Sequence, residues 1–266
     1  MAGFFDVVRR RWPGPRARTT GLPPSANGAS SFHLRWQLPG PFVAAAATLE
    51  VTRPPAVDRL YFWALQVSFV DAAGRPGGAA HVGLQWHPSH PGSTAVNWGG
   101  YDAAGAILPG TDSPLPSALD NANTRDFPWV AGRRYRLVIA RAAEPPPPGS
   151  EGRFAWQATV VDLVEARAVA VRALFASGDR LADAIVWSEV FARCDDPAVE
   201  VRWSDLEVTD EDGRARRPEA VTTSYQNHAD GGCANTESTV DGGVLVQRTA
   251  TPRSTPADAL LSLGPD

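Results

Sequence analysis

Gln85-Trp86-His87 sets a carboxamide and an imidazole two residues apart, hence on one face of a strand. A Gln that neutralises a carboxylate, a His or Tyr that takes a proton and an Arg that holds the charge are what a polysaccharide lyase needs on a uronate polymer. A tripeptide of this form arises often by chance, so lyase chemistry is the second reading. Asn97-Trp98-Gly99-Gly100-Tyr101 offers more to a ligand. Trp98 and Tyr101 present flat apolar faces on which sugar C–H groups pack, Asn97 both donates and accepts, and the paired glycines let backbone approach closely. Core packing of the two rings is the competing reading. A third stretch, residues 121–129, brings Asn123, Arg125 and Asp126 beside Trp129 after a Pro- and Gly-broken loop. Long loops at the rim of a rigid scaffold commonly carry function, and a loop tied by Asx turns is the plain alternative.

Residues 194–212 hold eight Asp and Glu against the single Arg202. Oxygen ligands at this density could bind Ca²⁺, yet Asp210-Glu211-Asp212-Gly213 lacks the later ligands of a calcium loop. A solvated edge that keeps a sheet from pairing with other chains is favoured, and no metal or other cofactor is expected. Other catalytic patterns are missing. The chain has no G-x-S-x-G, no H-E-x-x-H and no phosphate-binding glycine loop. Its 25 basic residues are all Arg, which excludes a Schiff-base or P-loop lysine. A net charge of −4 argues against a nucleic-acid binder. Cys194 and Cys233 are too few for a four-ligand zinc site without matching His. They form either one disulfide or two buried thiols. The N-terminal residues read as no secretory signal and no apolar run is long enough to span a bilayer, so a cytoplasmic location is the expectation, non-standard export aside, and free thiols stand at least level with the disulfide.

These groups need positioning by strands. Tyr61–Val70 alternates, with Tyr61, Trp63, Leu65, Val67 and Phe69 on one face. Val82, Leu84 and Trp86 oppose His81, Gly83, Gln85 and His87 along 80–87. Further strands are expected at 95–101, 134–141, 153–162, 169–175, 184–193, 199–208 and 244–249, with a stiff proline loop between the second and third of these. With 43% hydrophobic residues, 24 Gly and 24 Pro, the chain suits an all-β fold with frequent turns. Ten to twelve strands imply a two-sheet antiparallel β-sandwich. Residues 1–41 read as a basic tail, 42–252 as one sandwich domain and 253–266 as a C-terminal tail.

Tyr61-Phe-Trp-Ala, Gly83-Leu-Gln85, Asn97-Trp-Gly-Gly-Tyr101 and Trp187-Ser-Glu-Val-Phe191 together resemble a group of bacterial, actinobacterial-type proteins carrying a domain of unknown function. The resemblance spans roughly residues 45–250 and implies a concanavalin-like or jelly-roll sandwich, with no activity and no catalytic residues to transfer. The leading expectation is a non-catalytic, lectin-like carbohydrate-binding protein whose glycan site uses Gln85, His87, Asn97, Trp98, Tyr101, Asn123, Arg125 and Asp126. A domain that presents this face to another protein chain is the third reading.

Overall fold

The computed structural model describes residues 17–143, 145–150 and 152–264. Sixteen strands run β1 (Ser30–Trp36), β2 (Ala44–Arg53), β3 (Tyr61–Val70), β4 (Pro76–Trp86), β5 (Thr94–Tyr101), β6 (Thr124–Asp126), β7 (Arg134–Arg141), β8 (Phe154–Asp162), β9 (Arg167–Ala176), β10 (Arg180–Val190), β11 (Glu200–Thr209), β12 (Ala215–Arg216), β13 (Ala220–Tyr225), β14 (Glu237–Asp241), β15 (Val244–Arg248) and β16 (Leu260–Ser262). They form two antiparallel sheets. The first has the order β16-β13-β1-β10-β3-β4-β5-β6. The second has the order β14-β15-β11-β2-β7-β8-β9, with β12 alongside β11. The chain is an all-β sandwich. Among the described residues no helix is long and apolar enough to cross a membrane.

The period-two pattern explains the layers. Tyr61, Trp63, Leu65, Val67 and Phe69 of β3 face the second sheet and join one continuous core with Trp98, Trp156 and Trp203. The opposite face of the first sheet carries a separate small apolar cluster, Phe62, Ala64, Ile185 and Trp187. Since β10, β3 and β4 are interior strands of that sheet, residues on this outer face are held by backbone ladders on both sides. The β7–β8 hairpin pairs residues 135–141 with residues 156–162, and the proline loop lies within it as expected.

The boundaries expected from sequence need correction. β1 lies in the stretch read as a basic tail, yet it pairs with β10 and β13 and buries Phe32, Leu34 and Trp36. The arginines around it masked that alternation; residues 1–16 lie outside the described residues. At the other end β16 pairs with β13, and Arg253 donates to the carbonyls of Cys233 and Thr236. The stretch read as a C-terminal tail is therefore built into the sandwich. Cys194 and Cys233 are joined in a disulfide, one of the two arrangements that the sequence leaves open. The acidic block is not bare either. Arg248 pairs with Glu200, Arg134 with Asp205, Arg136 and Arg217 with Glu207, and Arg180 with Glu211. Those arginines all lie outside residues 194–212, so a count within that block misses them. Among the described residues no group of three or more His, Cys, Asp or Glu is placed to hold a metal ion.

Candidate functional site

The outer face of the first sheet can be built row by row from the strand register. Ser31, Glu189, Phe62, Gln85 and Ala95 lie side by side on β1, β10, β3, β4 and β5. The next row is His33, Trp187, Ala64, Gly83 and Asn97. The third is Arg35, Ile185, Gln66, His81 and Gly99. In the middle row the sheet bears only the Ala64 methyl and the Gly83 hydrogen between Trp187 and Asn97. Gly83 is required there, because a Cβ would sit 2.0 Å from the Trp63 carbonyl oxygen.

Rings frame this low strip. Phe62 meets Trp187 edge-on at 4.9 Å between centroids, and His81 meets both at 5.4 Å. His33 approaches Trp187 from the other side at 6.2 Å. The Trp187 Nε1 donates to Gln66 Oε1 at 3.1 Å, which fixes the indole plane. Burial lowers His81 to about 4, and burial assisted by Arg35 lowers His33 to about 4. Both imidazoles are neutral at physiological pH and act here as rings and hydrogen-bonding groups.

Glu189 differs from the other acids. It accepts hydrogen bonds from Asn27 Nδ2 at 2.8 Å and Ser31 Oγ at 3.2 Å, both neutral donors. Burial raises its pKa and these two donors offset the rise only in part. Glu200, Asp205 and Glu237 are shifted the other way: burial raises them, but hydrogen bonds outweigh it, joined by nearby arginines at Glu200 and Asp205. One residue along the same row from Phe62 lies Gln85, buried, with its Oε1 lacking any hydrogen-bond partner among the described residues. Asn97 is similar: its Nδ2 donates to Thr124 Oγ1 at 2.9 Å, and its Oδ1 is unpartnered. The face thus combines a carboxyl that holds its proton to higher pH, two free carboxamide oxygens and a set of neutral rings.

The residues expected from sequence to form one site are distributed differently. Gln85 and Asn97 share the outer face. Trp98, the next residue of the same strand, must point the opposite way and is fully buried in the core. Its ring therefore offers no stacking surface, which corrects that expectation. Tyr101 ends β5 with its side chain 54% exposed. Asn123 lies over Gly99, its side chain 2.9 Å from where a Cβ would stand. Arg125 Nη1 donates to the carbonyls of Asn121 and Thr124 and so shapes its own loop. Asp126 receives His90 Nδ1 at 2.6 Å and the Ala118 N–H at 3.1 Å, again a loop tie. His87 lies beyond β4, where its ring packs on His90 at 4.7 Å and its Nδ1 accepts from the Ser89 N–H. Burial and then His90 lower its pKa. Glu189 was missed by sequence reading. Its face was legible from Trp187-Ser188-Glu189 alternation; its neutral partners, far away in sequence at Asn27 and Ser31, were not.

No protein-family model matches the chain, and no curated protein matches it. Solved structures share its architecture at a distance. A member of the eqolisin family of peptidases, SCP-B in complex with the tripeptide Ala-Ile-His, aligns with 82% of this chain and 97% of its own, at TM-score 0.46 and 13% identity. Scytalido-glutamic peptidase with a transition-state analogue inhibitor covers the same shares at TM-score 0.44 and 14% identity. Basic winged bean lectin with Tn-antigen covers 62% of this chain and 73% of its own, at TM-score 0.21 and 12% identity. At such identities activity does not carry over from one chain to another.

Proposed function

We propose that the outer face of the first sheet is an acid–base site that hydrolyses a polar chain polymer, with Glu189 as the proton-transferring group and Gln85 orienting the substrate or water. The observation that carries this reading is the raised pKa of Glu189, held by neutral donors in the same row as the unpartnered Gln85 carboxamide oxygen, two strands away across Phe62. A carboxyl poised in this way can protonate a leaving group at a pH where ordinary carboxyls are already ionised. Activity on this reading falls as pH rises through the raised pKa. The linkage has the same sign: the folded state binds this proton more tightly than the unfolded chain, so Glu189 lowers stability once pH exceeds its unfolded value.

Glu189→Gln keeps both hydrogen bonds, because the carboxamide oxygen accepts from Asn27 and Ser31 as the carboxylate did. The variant is expected to be at least as stable as wild type at neutral pH and to lose about 100-fold or more in rate. The screen uses denatured casein, neutral β-glucans and uronate polymers from about pH 3 to pH 7. Equal turnover by Glu189→Gln, or no turnover of any polymer by the wild type, overturns the assignment.

One observation favours the second reading, non-catalytic glycan binding. Tyr101 is an exposed residue at the end of β5, two positions along the strand from Gly99, over which Asn123 lies, a combination that suits a sugar ring and its hydroxyls. On this reading a glycan array gives selective hits, and Tyr101→Ala weakens them about ten-fold. An unchanged profile removes it.

A further inference from the structure

We infer a separate carboxylate-binding site at Arg172, independent of Glu189 and on the other side of the β5–β6 edge. Arg172 projects from β9 where the two sheets meet the loop that runs from residue 107 to 123. It is only 6% exposed, an environment that a guanidinium rarely occupies without an acidic partner. Among the described residues the one hydrogen bond of its guanidinium runs from Nη1 to the Ala122 carbonyl at 2.7 Å. Its Nε is buried with no partner, and among the described residues no carboxylate lies within 4.0 Å of the guanidinium. Every other arginine ion pair named above joins a carboxylate; this arginine is buried more deeply than any of them and joins none.

The guanidinium forms a wall of two adjoining cavities. One, of about 530 Å³, is shared with Ile107, Asp112, Asn121 and Asn123. The other, of about 700 Å³, is shared with Gln157 and Phe175. Gly110 makes room for the group, since a Cβ there would lie 2.4 Å from Arg172 Nη2. The groups facing it from surrounding elements are known. Arg125, on β6, repels it, and Asp112, in the loop, attracts it from beyond ion-pair distance. Burial, then Arg125, lowers its pKa, so the positive charge is costly there and an incoming anion relieves that cost.

The charge balance selects the anion. Asp112 and Asp120 also line the smaller cavity and oppose a doubly charged phosphate or sulfate. A singly charged carboxylate, with the amides of Asn121 and Asn123 for adjacent hydroxyls, suits the site best. A carboxylated sugar such as a uronate carries both features.

The test uses the full chain, with D-glucuronate as probe and glucose as its neutral match, at fixed ionic strength. Wild type is expected to bind glucuronate, seen as a rise in Tm and a heat of binding, and to ignore glucose. Arg172→Gln is expected to lose at least about ten-fold in affinity, and Arg172→Lys to recover only part, because an ammonium lacks the planar fork. Arg172 also ties the loop through Ala122, so a variant could fail to fold. The wild-type ¹⁵Nε resonance of Arg172 supplies the second readout: it shifts on titration with glucuronate and stays still with glucose. A static resonance, or glucuronate binding retained by a folded Arg172→Gln, overturns the inference. Equal responses to glucuronate and to sodium chloride also overturn it, since they report screening alone.

Discussion

Reducing the Cys194–Cys233 disulfide is expected to lower stability by about 4 kcal/mol, the chain-entropy value for a bond closing a loop of 39 residues. For a chain of 266 residues this amounts to a fall in Tm of about 7 °C. The location of the bond supports a large effect. Cys194 follows β10 in the first sheet, and Cys233 sits in the loop between β13 of the first sheet and β14 of the second. Cys194 N–H donates to the Gly21 carbonyl, Asn235 Nδ2 donates to the Cys194 carbonyl, and Cys233 N–H donates to Ser30 Oγ. The bond therefore anchors the chain leading into β1. The measurement is calorimetry with and without reductant, beside a Cys194→Ala/Cys233→Ala variant. Wild type plus reductant and the double variant should coincide, and the oxidised protein should melt higher. Coincidence of all three, or two titratable thiols in the untreated protein, rejects the bond.

The legible parts of the fold are those where one face is apolar and the other is not. β3 and β7 appear at the residues expected because Tyr61, Trp63, Leu65, Val67 and Phe69, and Tyr135, Leu137 and Ile139, alternate cleanly. β2 is different: Ala44 to Ala47 is a run of alanine, which has low strand propensity, and only pairing with β7 and β11 makes it a strand. β13 and β14 are short and rich in Thr and Ser, so their burial comes from the strands beside them.

The site was legible to the same extent. Strand parity alone separates Asn97 from Trp98 and groups Gln85 with His81. What parity does not give is which polar groups lack partners. Asp126 and Arg125 look free along the chain, yet each is bonded into its own loop. Arg172 sits in an Ala- and Val-rich strand with nothing to mark it, and Ala122, 50 residues away, decides its setting. Desolvation depends on the whole surroundings, so neither Glu189 nor Arg172 could be ranked above other charged residues from sequence.

The second large effect is expected at Gln247, which joins the two sheets through the core. It lies on β15 of the second sheet and is 1% exposed. Its Nε2 donates to the Phe32 carbonyl of the first sheet at 3.0 Å, and its Oε1 accepts from Ser188 Oγ of the first sheet at 2.8 Å and from Trp203 Nε1 of the second at 3.1 Å. Gln247→Met preserves most of the volume and strands all three partners without water. An orphaned buried polar group costs about 1–3 kcal/mol, so the loss is expected at about 3 kcal/mol or more. Removing one orphan by Trp203→Phe in the Met background should return part of it, and that non-additivity separates hydrogen bonding from packing. The measurement is urea unfolding of Gln247→Met, Trp203→Phe and the double variant beside wild type, at constant m-value. A loss below about 1 kcal/mol for Gln247→Met would mean the core relaxes around the missing bonds, and the sheets are then held by apolar contact alone.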